Sequence, residues 1–430
     1  MQREIIEKLL RWKNSLDRKP LVVQGARQVG KTWALKEFGR QYYKSFVYLN
    51  FDEEDELISI FEKNKNPERI IELLGLLTNT KIEKEHTLII FDEIQESSQA
   101  LNALKYFNEK ANEYHIVAAG SLLGTFLAKP KSYPVGKVNL LTMHPMTFSE
   151  FLLAVDSGLF DYYMSIHKET VIEDIFHTKL LDVLNYYFII GGMPEAVQSW
   201  ITNKDSQKVQ KIQSELLAIY ENDFTKHSAH VNEARILLVF RSIASQLAKD
   251  NEKFLYGTLK EGARAREFEL AIEWLSSAGM ITKIHNVSKI QHPLQVYKIL
   301  NHFKLFLFDT GLLKHMACVD NSAILVKTDF QFKGPLVENF VLQELTASYE
   351  QDFHYYSDKH SELDFLLEDK TTVIPLEVKA GENKTAVSFK NFIKNNDSTI
   401  AIRLSKRNYK REDIICNVPL YLAGRLKEFL

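Results

Sequence analysis

Eight consecutive residues, Gly25-Ala26-Arg27-Gln28-Val29-Gly30-Lys31-Thr32, fit the pattern G-x-x-x-x-G-K-[ST]. They follow the apolar run Leu21-Val22-Val23 and lead into the helix-compatible stretch Trp33 to Phe38. A strand, a glycine-containing loop and a helix in that order restrict the possible folds more than any other segment of the chain. Glycines let the backbone curl so that successive N–H groups face one polyphosphate, and the helix N-terminus behind them adds partial positive charge. In this pattern Lys31 reaches the β- and γ-phosphates and Thr32 the metal, so the expected cofactors are ATP and Mg²⁺.

The segments that follow repeat the same grammar. Phe46 to Phe51, Thr87 to Phe91 and His115 to Ser121 are predominantly apolar runs, separated by the helix-like stretches Pro67 to Leu77 and Ser98 to Asn112. Apolar runs of this kind suit strands of a parallel sheet covered on both faces, and their alternation with helices predicts a doubly wound α/β domain. Asp92-Glu93 closes the third run, about sixty residues after the loop, which is the Walker B pattern. Asp92 is then expected to hold the metal through water and Glu93 to polarise the attacking water, while Ser121 sits where a γ-phosphate sensor would. A cation is also needed to neutralise charge in the transition state. Arg27, Arg40 and Lys137 are the candidates, and sequence does not choose among them.

Further along, strand signals fade from about 151 to 230 and the pattern becomes helical, with Gly191-Gly192-Met193-Pro194 as a break; this predicts a helical lid or connector. Between 231 and 315, helical stretches (Ala234 to Ala248, Ala265 to Ser277) precede two short alternating segments, Met280 to Ile284 and Gln295 to Ile299, a combination that suggests a winged helix. From 316 to 430 mixed α/β signals return, with a helix from Pro335 to Ser348, strands from Leu363 to Leu367 and Val373 to Val378, and a helix around Ser388 to Lys394.

That last region carries a second set of chemistry-bearing residues. Glu377 and Lys379 are two apart in a strand and share a face, with Asp364 on the adjoining strand and Glu338 on an upstream helix. Asp364, Glu377 and Glu338 are candidate ligands for a hard divalent ion, with Lys379 orienting an attacking water, which is the logic of metal-dependent phosphodiester cleavage. A solvent-exposed strand edge with an ordinary Glu–Lys pair is the competing explanation. Basic residues gather at Arg403, Lys406, Arg407, Lys410 and Arg411 around Tyr409, and again at Lys260, Arg264 and Arg266. Both clusters can track nucleic-acid phosphates, or be solvated faces.

Composition excludes several classes. With 430 residues, 45% hydrophobic and 26% charged, the chain is globular and long enough for several domains. A net charge of −2 gives no global field for nonspecific nucleic-acid binding. Two cysteines, Cys318 and Cys416, make no disulfide framework. No segment reads as a signal peptide or membrane span, so the cytoplasm is the expected location and no membrane partner is expected.

Taken together, the loop Gly25 to Thr32, Phe91-Asp92-Glu93-Ile94, Ala119 to Gly124, Pro145-Met146-Thr147-Phe148-Ser149-Glu150-Phe151, Gly191 to Pro194, Asp309-Thr310-Gly311-Leu312 and the set Glu338, Asp364, Glu377, Lys379 resemble a known group. It consists of prokaryotic AAA-type ATPases, related to the archaeal ATPase clade, in which a P-loop domain is fused to a C-terminal domain of unknown function. The resemblance implies an AAA-type P-loop core (1–150), a helical lid (151–230), a winged-helix segment (231–315) and a PD-(D/E)XK nuclease-like domain (316–430). The expected function is ATP binding and hydrolysis that controls the C-terminal nuclease-like, nucleic-acid-interacting module, in a homo-oligomer or with a protein partner. The alternative is a nucleotide-dependent signalling or assembly switch whose nuclease fold is inactive and used for binding. One departure stands out: Pro134-Val135-Gly136-Lys137-Val138 resembles the family's Gly-Arg stretch with lysine in place of arginine, which keeps the charge and loses the guanidinium fork.

Overall fold

A computed structural model describes residues 1–53, 55–121, 136–168, 170–227, 232–249, 253–326, 330–359, 361–381, 389, 393 and 400–430. They form two compact units, Met1–His144 with Ser277–Met280, and Pro145–Ser276 with Ile281–Leu430.

The first unit contains α1 (Ile5–Lys13), β1 (Leu21–Gln24), α2 (Lys31–Tyr42), β2 (Ser45–Asn50), α3 (Asp55–Lys63), α4 (Pro67–Leu77), β3 (Thr87–Asp92), α5 (Ser98–Lys110), β4 (His115–Ala119) and β5 (Asn139–Thr142). The sheet order is β2-β3-β4-β1-β5, and every pairing is parallel. Every residue of β3 and β4 is buried, as strands covered on both faces must be. Local chemistry starts the helices at the foreseen places. Asn66 accepts the N–H groups of Glu68 and Arg69 ahead of Pro67, and Ser97 accepts that of Ala100. Phe51, Phe61 and Phe91 meet edge to face or tilted, with centroids 5.5 to 5.7 Å apart, and anchor the core on one side of the sheet. The β1–α2 loop and the C-terminal end of β3 lie at the carboxyl ends of the strands, where open α/β sheets bind ligands.

In the second unit the stretch after residue 147 is helical, as expected, with helices Phe148–Val155, Ser157–Ser165, Asp174–Ile190, Pro194–Asn203 and Ser206–His227. An eight-stranded sheet follows in the order β12-β13-β11-β10-β9-β8-β6-β7. Its strands are β6 (Ile281–Val287), β7 (Lys298–Leu307), β8 (His354–Ser357), β9 (Glu362–Asp369), β10 (Thr372–Lys379), β11 (Ala401–Ser405), β12 (Lys410–Glu412) and β13 (Ile415–Pro419).

This sheet alters the reading of residues 231–315. The expected hairpin exists, β6 pairing antiparallel with β7, although its second strand starts later because Leu294–Tyr297 is a 3₁₀ turn. It is not a detached wing. β6 also pairs in parallel with β8, and the Asn286 side chain both donates to Ser357 O and accepts the Ser357 N–H, each at 3.0 Å. The hairpin therefore extends the C-terminal sheet, and a border at 315/316 would cut through one hydrogen-bonded layer. The helix expected around Ser388 to Lys394 lies outside the described residues except for Phe389 and Ile393, both helical and buried. Pro134 and Val135 of the lysine-substituted stretch also lie outside them.

Buried polar bonds join the short motifs of this unit. The Asp309 carboxylate accepts the N–H groups of Gly192 (2.7 Å) and Leu312 (2.9 Å). Thr310 donates twice to Gln343 Oε1, whose amide nitrogen donates to the Tyr187 hydroxyl, and Phe148 N–H donates to Glu344 Oε1. Gly192 is required here, because a Cβ would lie 2.2 Å from Met146 O. Burial pushes the Asp309 carboxyl up to about 6.

Candidate functional site

The loop between β1 and α2 is shaped by residues that accept positive φ: Gly25 at 147°, Gln28 at 62° and Gly30 at 96°. Gly25 admits no side chain, since a Cβ would stand 2.2 Å from Met143 O. Lys31, the first residue of α2, is buried, and its ammonium donates to Gly25 O at 2.9 Å and Ala26 O at 2.8 Å. Burial lowers Lys31 to about 8, against the opposing pull of Glu93 and Asp92. Thr32 Oγ1 donates to Asp92 Oδ2 at 2.6 Å. Glu93 has positive φ (49°) and turns its carboxylate toward Ser121, whose hydroxyl lies 3.2 Å from both oxygens. Of the expected first-site residues, Lys31, Thr32, Asp92, Glu93 and Ser121 thus converge at the ends of β1, β3 and β4.

Three further side chains support this constellation. Arg3 is buried and donates to Val29 O in the loop (2.7 Å) and to His144 O (2.8 Å), tying the chain before α1 to both. Tyr48 donates to Asp92 Oδ2 at 3.0 Å, with the Lys36 ammonium 3.3 Å from its ring centroid; burial, chiefly, raises its pKa. Gln95 donates to Glu93 Oε2 at 2.5 Å. Gln95 could have been noticed beside Asp92-Glu93, but no spacing signal marks Arg3 or Tyr48.

The charge-neutralising candidates separate. Arg40 pairs with Glu37 at 3.2 Å and Lys137 with Glu109 at 3.0 Å, both on exposed surface. Nine residues of helix place Arg40 about 14 Å along the axis from Lys31, too far to serve its own loop. Arg27 is partly exposed within the loop itself.

The arrangement fits a magnesium nucleotide. The Lys31 ammonium rests on carbonyls that phosphate oxygens would replace. Thr32 and Asp92 would be the residues to hold Mg²⁺, an ion that keeps several waters and needs few protein ligands. When bound, the ion would neutralise charge on the β- and γ-oxygens.

In the second unit, β9 and β10 run antiparallel and β10 and β11 parallel, with Glu377 directly opposite Arg403. Glu377 is 95% buried in its side chain; Lys379 Nζ lies 2.8 Å from Oε1 and Arg403 Nε 3.3 Å from Oε2. Asp364 Oδ2 accepts the Val378 N–H at 2.6 Å. Glu338 lies on the helix Lys333–Ser348. Among the described residues no group of three or more His, Cys, Asp and Glu side chains is set to hold a metal ion. The expected metal ligands Glu338, Asp364 and Glu377 form no such group among the described residues, and Glu377 is clasped by two cations. The basic run divides too, because Arg403 is largely buried while Arg407, Lys410 and Arg411 are exposed, as are Lys260, Arg264 and Arg266.

A wholly parallel five-stranded sheet, a phosphate loop after β1 and an aspartate closing β3 against the loop threonine define a P-loop nucleotide-binding domain. Residues 17–152, most of them in the first unit, match a family described as an AAA domain. Residues 181–323 and 333–423 match two families, each described as a domain of unknown function (DUF8612 and DUF4143). Among solved structures, a Walker-type ATPase of Pyrococcus abyssi is 14% identical, with 73% of this chain and 95% of that chain covered and a TM-score of 0.48. The ORC1 protein of Aeropyrum pernix in complex with DNA is 14% identical (75% and 92% covered, TM-score 0.28). AMPPCP-bound DnaA from Aquifex aeolicus is 12% identical (64% and 85%, TM-score 0.28). No curated protein matches. No helix among the described residues is long and apolar enough to cross a membrane.

Proposed function

We propose that the chain binds ATP with Mg²⁺, hydrolyses it in the first unit, and uses the nucleotide cycle to control a C-terminal, nuclease-like module that interacts with nucleic acid. The observation that supports this is the hydrogen bond from Thr32 to Asp92, the two groups assigned here to Mg²⁺, with the buried Lys31 next to Thr32 in the chain. Glu93, held by Ser121 and Gln95, is the group to polarise the attacking water, and Ser121 the group to sense the γ-phosphate. The backbone from Gly25 through Thr32 cradles the phosphates. Arg40, too remote for its own loop, is available to a neighbouring copy in a homo-oligomer.

In the C-terminal module, Asp364, Glu377 and Lys379 supply the phosphodiester-directed groups. A second reading is favoured by one observation: Glu377 is occupied by Lys379 and Arg403. On that reading the module binds without cutting, and the protein is a nucleotide-dependent switch. ATP turnover by the full chain and by Lys31→Ala, with and without DNA, tests the first half. Mg²⁺- or Mn²⁺-dependent nicking that Asp364→Ala abolishes while ATP turnover persists separates cutting from binding.

A further inference from the structure

We infer that Arg403 belongs to the C-terminal site and makes it a receptor for a nucleic-acid phosphodiester, with the Glu377 carboxylate standing in for the phosphate until one arrives. This rests on the nucleic-acid-facing reading of the module.

The geometry is specific. Glu377 and Arg403 are register partners on β10 and β11, and the antiparallel register of β9 with β10 brings Asp364 beside Glu377, so all three lie on one face across three neighbouring strands. The Glu377 carboxylate is divided, one oxygen facing Lys379 and the other Arg403 Nε. The Arg403 side chain is only 15% exposed, and its guanidinium carbon lies 5.9 Å from the Phe389 ring centroid. Arg403 Nη2 is fully buried and has no hydrogen-bond partner among the described residues.

A buried guanidinium nitrogen without an acceptor is uncommon. The acceptor that suits it is an oxygen anion, and a guanidinium fork matches two phosphate oxygens as a lysine ammonium does not. Two cations, Lys379 and Arg403, face the Glu377 carboxylate, so a phosphodiester competes with Glu377 for them. Arg403 is therefore distinct from Arg407, Lys410 and Arg411, whose exposure suits loose electrostatic contact instead.

The test is fluorescence anisotropy of a short fluorescein-labelled DNA oligonucleotide with the full chain, in EDTA and without nucleotide, accompanied by thermal melts of each variant. R403Q is expected to weaken binding about tenfold or more, and R403K to recover only part of it. E377Q is expected to tighten binding, because both cations are released; this readout holds even where R403Q folds poorly. Wild-type affinity in R403Q would overturn the role of Arg403 and leave the reading of the module standing. Equal weakening in R403Q and E377Q would show the pair to be a structural strut and overturn the inference. A wild-type chain that binds no oligonucleotide would overturn both.

Discussion

Thr32 Oγ1 and Asp92 Oδ2 stand 2.6 Å apart although sixty residues separate them in sequence. The contact exists because β1 and β3 end at the same edge of a parallel sheet, one delivering the phosphate loop and the other its terminal aspartate. Tyr48 donates to the same Asp92 oxygen from β2. Removing that donor should loosen the aspartate without removing it. Tyr48→Phe is expected to weaken Mg²⁺ affinity in the presence of nucleotide by about tenfold, and Asp92→Ala by far more, measured by titrating Mg²⁺ against ATP turnover.

Glu93→Gln should separate binding from hydrolysis. The amide cannot accept a proton, so turnover is expected to fall by about 10² to 10⁴ while affinity for a fluorescent ATP analogue changes only a few-fold. Loss of both together would remove Glu93 from the role given to it.

Lys31 predicts a pH dependence whose sign is fixed. Its pKa in the nucleotide-free protein is lowered from 10.5 to about 8, so above that pH the side chain is increasingly neutral. Phosphates bind the ammonium form, so nucleotide binding takes up a proton there and affinity should fall with rising pH, at most about tenfold per pH unit. For folding the sign is opposite: between about 8 and 10.5 the unfolded chain holds the proton that the folded one lacks, so this group's contribution to stability rises with pH. Calorimetric titration in buffers of different ionisation enthalpy checks the proton uptake, which Lys31→Ala should abolish.

Gly192 and Asp309 predict a stability effect in the second unit. Gly192→Ala must displace Met146 O and should destabilise by about 3 kcal/mol in thermal or chemical denaturation. The Asp309 carboxyl, raised from 3.8 to about 6 by burial, contributes stability that is fully present below the unfolded value and is lost as pH rises through about 6. Asp309→Asn should remove that component of the pH dependence and cost stability, since its amide nitrogen meets an N–H donor where a carboxylate oxygen was.

Much of the first unit was legible because its strands are apolar runs that end in chemically loaded residues, as at Leu21-Val22-Val23 and Thr87 to Asp92. Helices with strong local signals, such as Pro67–Leu77 behind Asn66 and Ala265–Ser277, fall where the pattern puts them. Strands β8 (His354–Ser357), β11 (Ala401–Ser405) and β13 (Ile415–Pro419) are short and partly polar, and only their pairing within the sheet makes them strands. The same physics hid the side chains. Arg3 and Tyr48 act through partners far along the chain, and Arg403 reads as one cation in a basic run until strand pairing sets it opposite Glu377.

The most direct test of the central claim is steady-state phosphate release by the purified full chain with ATP and Mg²⁺, compared with Lys31→Ala and Glu93→Gln. The structure predicts measurable turnover in wild type, loss of binding and turnover together in Lys31→Ala, and retained binding without turnover in Glu93→Gln. Equal phosphate release by all three proteins would contradict it.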